Sequence, residues 1–306
     1  MKLIHTTLLA LLMAGATCAQ AANDDQSQRT DRAPTDDESL AIAALEGLMA
    51  QPPDRALPIL KKVLSGSQPP VVKKRAMFVL SQIDAPEARD ILMQTARSPN
   101  SELRGEAIRS IGIGGNPTAL DALQEIYKAG SADVKRDILK AWMIAGRNEP
   151  VFQAALNAKT EEEASEAIRT LGVMGAREEL RKLGDRPETM NGLAQAFAIS
   201  GDLAGLRKIA EGKGKKEVRI DAVRNIGIIQ GDAARAALRE IYARETDAEI
   251  KDAALHGMLI AQDDQGVLAL YRAAKTIDEK RSLMHMLSMM NGDVALEAID
   301  AALEKK

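Results

Sequence analysis

The stretch ELRGEAIRSIGIGGNPTALDALQEI, residues 102–126, has a counterpart later in the chain, EVRIDAVRNIGIIQGDAARAALREI, residues 217–241. In both stretches an apolar residue recurs every three or four positions, a break containing glycine follows, and a second periodic segment begins. A spacing of three and four places these side chains on one face of a helix. Each stretch therefore predicts two short amphipathic helices joined by a turn, and the recurrence predicts a helical repeat.

Three glycines of the first stretch, Gly112, Gly114 and Gly115, also allow a different interpretation, a phosphate-binding loop. Such a loop follows a β-strand, whereas the segment before these glycines has helical spacing. The equivalent turns beginning at Gly172 and Gly227 lack the double glycine. We therefore predict that the glycines end one helix in a left-handed cap and permit a tight turn.

The repeat extends over nearly the whole chain. A small or apolar anchor residue in one helix of each unit recurs at intervals of 26 to 32 residues, and an apolar residue follows each anchor four positions later. Neither helix of a unit can bury its apolar face alone, so neighbouring units are predicted to stack. The nine anchors are Ala44, Ala76, Ala107, Ile138, Ala167, Leu193, Ala222, Ala254 and Leu283.

Composition supports helices, because 45% of the residues are hydrophobic and only 2% are aromatic. The core must be built from Ala, Leu, Ile, Val and Met, which are mostly helix formers, whereas sheets favour aromatic and β-branched residues. The charges, 41 basic against 44 acidic residues, argue against a general nucleic-acid binder. The single cysteine, Cys18, lies in the N-terminal apolar segment, which leaves no disulfide or cysteine metal site in the mature chain.

The two quoted stretches resemble the HEAT-like repeat family, in particular its short subclass first recognised in phycobilisome lyases. They share its rhythm of Val/Leu-Arg, Ala, Leu/Ile-Gly and Ala-Leu, while Ala164 and Met190 replace the basic residue in the fifth and sixth units. The resemblance implies an all-α, right-handed α-solenoid of about nine HEAT-like hairpins over residues 38–306. In this family the second helix of each unit lines the concave side. Most members are scaffolds, and some partner or assist enzymes.

The N-terminus predicts export. Lys2, a short apolar run and small residues before an acidic segment are typical of a secretory signal peptide over residues 1–21, cleaved after Ala21. The alternative is a lipoprotein signal with an acylated Cys18, although Thr17 precedes that cysteine. The run is too short to predict a stable membrane span. Residues 22–37 are predicted to form a disordered acidic linker, and the mature chain to be periplasmic or secreted by a bacterium.

A row of basic side chains lies two positions after the anchors. Such a row, with helices about 8–10 Å apart, would bind an acidic peptide or the acidic surface of a protein. The alternative is a salt-paired helix face, because Glu106, Asp137, Glu166 and Asp221 precede four of the bases by three positions. Ala253 and Ser282, which are not acidic, occupy the position three residues before His256 and His285. The last two units are therefore the stronger candidates for a binding surface. The row is Arg109, Lys140, Arg169, Arg224, His256 and His285.

A second basic column lies three positions before the anchors. At the start of a helix such side chains are expected to cover the previous unit and to bond loop groups, which is a structural role. The column consists of Lys73, Arg104, Lys135, Arg219, Lys251 and Lys280.

The last units also contain two histidines and a methionine-rich segment. His256 and His285 fall one per unit, but zinc requires three or four ligands, and Asp263 and Asp264 lie in turns, so no metal site is predicted. In residues 283–290 the spacing buries Leu283, Leu287 and Met290. Met286 and Met289 are expected to be exposed contacts.

These patterns predict an exported protein–protein interaction scaffold that binds another envelope protein on its concave face. One alternative is a regulatory or inhibitory subunit of a periplasmic enzyme. Another is a lyase-like enzyme, against which the chain offers few aromatic side chains for a flat ligand. No G-x-S-x-G, P-loop or H-E-x-x-H motif occurs in the sequence. We therefore predict neither enzymatic activity nor a cofactor.

Overall fold

The computed structural model describes residues 33–99, 101–184, 192–290 and 292–304, and these residues form α-helices and no strand. The predicted all-α repeat fold is confirmed. A short 3-10 turn, Leu48–Ala50, follows the first helix. The helices are α1 (Asp36–Gly47), α2 (Pro53–Ser65), α3 (Pro70–Gln82), α4 (Pro86–Arg97), α5 (Arg104–Gly114), α6 (Pro117–Ala129), α7 (Ala132–Ile144), α8 (Asn148–Leu156), α9 (Glu161–Val173), α10 (Arg177–Leu183), α11 (Leu193–Ile199), α12 (Leu203–Ala210), α13 (Lys216–Ile229), α14 (Gly231–Arg244), α15 (Ala248–Ile260), α16 (Asp264–Ala273), α17 (Ile277–Ser288) and α18 (Asp293–Glu304).

The helices belong to two compact units, residues 1–122 and residues 123–306, and the division falls within α6. Every predicted anchor lies on an odd-numbered helix. In the N-terminal unit α1, α3 and α5 pack in succession. In the C-terminal unit α7, α9, α11, α13, α15 and α17 do the same, and the even-numbered helices pack against the odd-numbered helix that follows them. Each unit is thus a stack of helical hairpins.

The core follows the predicted periodicity from the second hairpin onward. Every anchor from Ala76 to Leu283 is fully buried, and so is the apolar residue four positions after each of them. The first hairpin differs, because Ala44 is exposed and Leu45 is buried instead. Helix α1 is therefore rotated by one residue, about 100°, relative to the predicted register. Among the described residues, its main contacts are with α3 and with the short turn after it.

Helix α1 also begins earlier than the predicted boundary of the folded region. The Thr35 hydroxyl accepts a hydrogen bond from the Glu38 amide, and the Glu38 carboxylate accepts one from the Thr35 amide at 2.8 Å. This capping box satisfies amides that the first turn leaves free. Asp36 and Asp37, which were assigned to the linker, are therefore helical. The predicted signal peptide and Cys18 lie outside the described residues.

A corner with a positive φ lies at the eighth position after the anchor in six odd-numbered helices, α5, α7, α9, α11, α13 and α15. Gly115 has a φ of +66°, as the predicted glycine cap requires. Gly112 and Gly114 lie inside α5 and not in the turn. A Cβ on Gly114 would lie 2.7 Å from the Ser81 carbonyl oxygen, so this glycine permits close packing of α5 on α3. The same corner recurs at Gly146, Gly175, Gly201, Gln230 and Gln262.

Close backbone contacts also join the odd-numbered helices of the C-terminal unit. A Cβ on Gly227 of α13 would lie 2.4 Å from the carbonyl oxygen and 2.9 Å from the Cα of Gly257 in α15. A Cβ on Gly172 of α9 would lie 2.9 Å from the Cα of Ala196 in α11. Only residues without a side chain allow backbones to approach this closely, so these glycines set the distance between successive hairpins.

Candidate interaction face

The predicted basic residues all project into solvent from odd-numbered helices. Arg109 lies on α5 of the N-terminal unit. The other five lie in the C-terminal unit, on α7, α9, α13, α15 and α17, and Gln195 occupies the equivalent position of α11. We use the name basic row for the five residues of the C-terminal unit, Lys140, Arg169, Arg224, His256 and His285.

Two of the predicted bases are paired within their own helix. Arg109 donates to Glu106 at 3.2 Å, and Arg169 donates to Glu166 at 2.9 Å. Both arginine side chains are about 60% exposed, so water screens each pair, and its contribution is about 0.2–0.5 kcal/mol. The salt-paired alternative is thus correct at these two positions.

The same alternative is wrong at two other positions. Asp137 and Asp221 precede Lys140 and Arg224 by three residues, as Glu166 precedes Arg169. Among the described residues, however, the side chains of Lys140 and Arg224 form no ion pair and no hydrogen bond. Both side chains are exposed. These two cations are therefore available to an anionic group of another molecule.

The two histidines differ from each other. His256 lies 3.3 Å from the Asp252 carboxylate and 3.0 Å from the Asp252 carbonyl oxygen through Nδ1. The position three before His256 is Ala253, as the sequence shows, but Asp252 lies four before it, and residues four apart share a helix face as well as residues three apart. His285 is exposed, and its carbonyl oxygen accepts a hydrogen bond from Ser288.

The aspartates considered as partners of these histidines in a metal site have other roles. Asp263 is buried and accepts hydrogen bonds from Arg239. The described residues contain no group of three or more side chains placed to hold a metal ion.

A row of exposed aliphatic side chains lies six positions after the anchors, and the sequence interpretation missed it. All its members lie in the last turn, or at the C-terminal cap, of odd-numbered helices in the C-terminal unit. Six residues rotate a helix by about 240°, which takes a side chain off the buried face. We use the name aliphatic row for Ile144, Val173, Ile199, Ile228, Ile260 and Met289, which are 42–58% exposed.

The methionines predicted to be exposed divide between core and surface. Met289 is 42% exposed, as predicted, whereas Met286 is 3% exposed and belongs to the core. Met286 follows the fully buried Leu283 by three residues and therefore lies on the same side of α17. Leu287 and Met290 are buried, as predicted.

The second basic column has its predicted structural role at four positions. Arg104 bonds the Pro99 carbonyl oxygen in the preceding loop at 3.1 Å, and the other three residues join successive hairpins. Lys135 donates to Glu163 at 2.6 Å, and Lys251 donates to Glu279 at 3.1 Å. Arg219 bonds the Ala210 carbonyl oxygen of the preceding hairpin at 2.8 Å and the Glu245 carboxylate. The lysine hydrogen bonds lower the pKa of Glu163 and of Glu279. These cations are already paired and are not part of a binding face.

A tyrosine covers each of the two lysine–glutamate pairs. Lys251 lies 4.3 Å from the centre of the Tyr242 ring, and the Tyr242 hydroxyl donates to Glu279 at 3.3 Å. Lys135 lies 5.6 Å from the Tyr127 ring. Burial, with a smaller effect of the nearby glutamate, raises the pKa of each tyrosine to about 12. Both hydroxyls therefore remain protonated at neutral pH. A tyrosine that acts as a nucleophile or a base must first lose this proton.

Two buried aspartates hold arginines of the preceding hairpin, which the sequence interpretation did not foresee. Arg181 donates to both oxygens of Asp202 at 2.7 Å, and Arg239 donates to Asp263 in the same way, with 2.7 Å from Nε. Each aspartate also accepts the amide of the glycine three residues later. We use the name arginine latches for the pairs Arg181–Asp202 and Arg239–Asp263.

Comparison with known proteins supports the repeat assignment. The family model for HEAT repeats matches residues 57–142, and this part of the chain consists of HEAT repeats. No curated protein matches the sequence.

Three solved structures match this chain at low sequence identity. Human deoxyhypusine hydroxylase in complex with glycerol is 14% identical, with 74% of this chain and 98% of that chain covered and a TM-score of 0.32. The complex of CpcE and CpcF of phycocyanin lyase from Nostoc sp. PCC7120 is 18% identical, with 85% and 97% covered and a TM-score of 0.30. A computationally designed self-assembling cyclic homo-oligomer is 14% identical, with 88% and 99% covered and a TM-score of 0.15.

None of the helices in the described ranges is both long enough and apolar enough to cross a membrane.

Proposed function

Because the chain carries HEAT repeats, we propose that it is an exported scaffold that holds another protein of the cell envelope on the exposed face of its odd-numbered helices. Repeat proteins of this kind use extended surfaces for binding. One observation carries the proposal: side chains of like chemistry recur at the same two positions of successive hairpins, as the basic row and the aliphatic row. A catalytic site brings unlike groups to one point, whereas rows of like groups suit a long partner.

The electrostatics of the face support an acidic partner. Lys140 and Arg224 are exposed and unpaired among the residues described, so binding a carboxylate breaks no existing ion pair at these positions. Charges of this kind steer a partner and select it by complementarity.

Export is supported by the sequence of residues 1–21, with Lys2 before an apolar run and small residues before the predicted cleavage site. Expression in a bacterium followed by cell fractionation and N-terminal sequencing tests this part. We expect periplasmic protein that begins after Ala21. Recovery of uncleaved protein in the cytoplasm contradicts export. Recovery in the membrane with an acylated Cys18 shows instead that the protein is an exported lipoprotein.

Charge reversal tests the binding face. The variant Lys140→Glu/Arg224→Glu reverses the two unpaired cations. The control Lys128→Glu/Arg244→Glu makes the same charge change at side chains 67% and 72% exposed near the ends of even-numbered helices, where each cation is paired with a glutamate of its own helix. Each tagged protein is incubated with a periplasmic extract, and co-purifying proteins are identified by mass spectrometry.

We expect a specific partner with the wild type and with the control variant, and its loss with Lys140→Glu/Arg224→Glu. Equal recovery of that partner by both variants refutes binding through the basic row. Circular dichroism of each variant checks that the helices are intact.

A further inference from the structure

The aliphatic row and the basic row together form one surface of the C-terminal unit. The two positions on each helix are four apart in the sequence, which places the side chains one turn and about 6 Å apart on the same face. The neighbours on α7, α9, α13, α15 and α17 are Lys140 and Ile144, Arg169 and Val173, Arg224 and Ile228, His256 and Ile260, and His285 and Met289. The two rows therefore run side by side across five of the six odd-numbered helices.

The aliphatic row is not a chance scatter of surface hydrophobics. Single exposed apolar residues are normal and need no explanation. Within the described ranges, however, twelve large apolar side chains are exposed, and six of these twelve occupy this one repeat position. Ile228 remains 51% exposed and Val173 58% exposed although neighbouring positions of the same helices are fully buried. A contiguous exposed apolar surface rimmed by polar groups is typical of an interaction site.

The charges decide which partner fits this surface. Lys140 and Arg224, each one turn before an exposed isoleucine, favour a partner that carries carboxylates beside aliphatic groups. The first turns of the same helices carry exposed acids, Glu162 in α9 and Glu217 in α13 among them. A lipid surface or a nucleic acid, with its continuous layer of phosphates, would be repelled by these acids, whereas a narrow polypeptide can follow the two rows and avoid them.

The repeat distance decides the conformation of the partner. The axes of packed helices lie about 8–10 Å apart. Because the backbones of Gly227 and Gly257 are in close contact, we expect the distance between α13 and α15 to lie at the lower end of this range. An extended polyproline II segment advances about 9 Å in three residues, whereas equivalent residues of an α-helical partner, seven apart, are about 10.5 Å apart. The extended segment matches the rows more closely.

We infer that the C-terminal unit binds an extended acidic polypeptide segment with an aliphatic side chain at every third position, its aliphatic groups on the aliphatic row and its carboxylates on the basic row. The inference rests on the proposed scaffold function and specifies the partner of the same face.

Synthetic peptides test this directly with the full-length mature chain. The probe is a fluorescein-labelled peptide of about six Leu-Asp-Glu triplets, whose length spans the six odd-numbered helices at about 9 Å per triplet. One control replaces every leucine by serine, and a second has the same composition with the leucines gathered in one block. Fluorescence anisotropy measures the Kd of each. We expect the first peptide to bind at least roughly tenfold more tightly than either control.

Substitution in the protein tests the surface. Ile228→Ser/Ile260→Ser removes two members of the aliphatic row that are about half exposed, so the fold should remain intact. Leu296→Ser is the control, because Leu296 is 67% exposed on α18 and outside the row. We expect the double variant to weaken binding of the Leu-Asp-Glu peptide by roughly tenfold or more, and Leu296→Ser to leave it unchanged.

The outcomes separate this inference from the proposed function. The inference is overturned if all three peptides bind equally. It is also overturned if none binds while capture of an envelope partner still depends on Lys140 and Arg224. Either result leaves the scaffold function standing. Loss of that dependence as well overturns both. Sedimentation measurements add a third outcome. If the wild type is a dimer and Ile228→Ser/Ile260→Ser is a monomer, a second copy of the chain covers the row, and the inference is wrong.

Discussion

Replacing Gly227 by alanine should destabilise the protein, although alanine is the better helix former. The new Cβ would lie 2.4 Å from the Gly257 carbonyl oxygen, and ordinary contact begins at 3.4 Å, so α13 and α15 must separate by about 1 Å. Overpacking of this kind costs about 1–3 kcal/mol. The obstacle here is backbone and cannot rotate away, which favours the upper part of that range. The higher helix propensity of alanine offsets about 1 kcal/mol of this cost. The expected net decrease in the free energy of unfolding is therefore about 1–2 kcal/mol.

A matched control separates packing from propensity. Gly47 ends α1 with an ordinary helical φ of −61°, and no atom lies within 4 Å of a Cβ added there. Gly47→Ala should therefore raise the free energy of unfolding, by up to about 1 kcal/mol. Urea unfolding followed by far-UV circular dichroism measures both variants. If Gly227→Ala raises the unfolding midpoint as Gly47→Ala does, the glycine contact does not set the spacing of the hairpins, and the reasoning is refuted.

Three further predictions concern single side chains, each measured by urea unfolding. Burial alone would raise the pKa of Asp202, but hydrogen bonds from Arg181 and a backbone amide outweigh burial and lower that pKa. The carboxylate therefore stabilises the folded state at pH values above its unfolded pKa of about 3.9. This contribution is lost as the pH falls through the lower pKa of the folded state. Asp202→Asn should cost about 1–2 kcal/mol at neutral pH and much less in acid, whereas a pH-independent loss contradicts the charge argument. Gln262→Gly should stabilise by about 0.5–1 kcal/mol, because a φ of +51° costs a residue with a side chain about 1–2 kcal/mol; a destabilised variant contradicts this. Glu279→Gln should cost roughly 0.5 kcal/mol, since the pair with Lys251 is about 30% exposed, and a neutral result shows that this pair does not help to join the hairpins.

The fold could be predicted from the sequence because the core repeats. From Ala76 onward, one small or apolar residue and another four positions later are enough to locate each buried face. The first hairpin could not be predicted in the same way, since Ala44 and Leu45 are adjacent and both apolar, and the spacing alone does not select between them. Gly112 and Gly115 show the same limit in a turn. They are alike in sequence, yet one lies inside a helix and only the other has a positive φ.

The binding face could be predicted only in part. Six basic positions were visible in the sequence, but the state of each depends on side-chain conformation. Glu166 reaches Arg169, whereas Asp137, one methylene shorter, does not reach Lys140. The aliphatic row was visible as well, at a fixed offset from the anchors. It was missed because an isoleucine near the end of an amphipathic helix resembles a core residue until the structure shows its exposure.

The arginine latches imply that the C-terminal unit is modular. Asp202 and Asp263 stand at equivalent corners, and each takes an arginine of the hairpin before it and the amide of a glycine three residues after it. The acceptor that Arg181 requires is thus also present two hairpins later. A chain from which the segment between the two corners is excised would offer Asp263 to Arg181 with the same local bonds. Hairpins can therefore be gained or lost in pairs without new contacts between the hairpins that become neighbours. The length of the array can change while the arginine–aspartate contacts between hairpins stay the same.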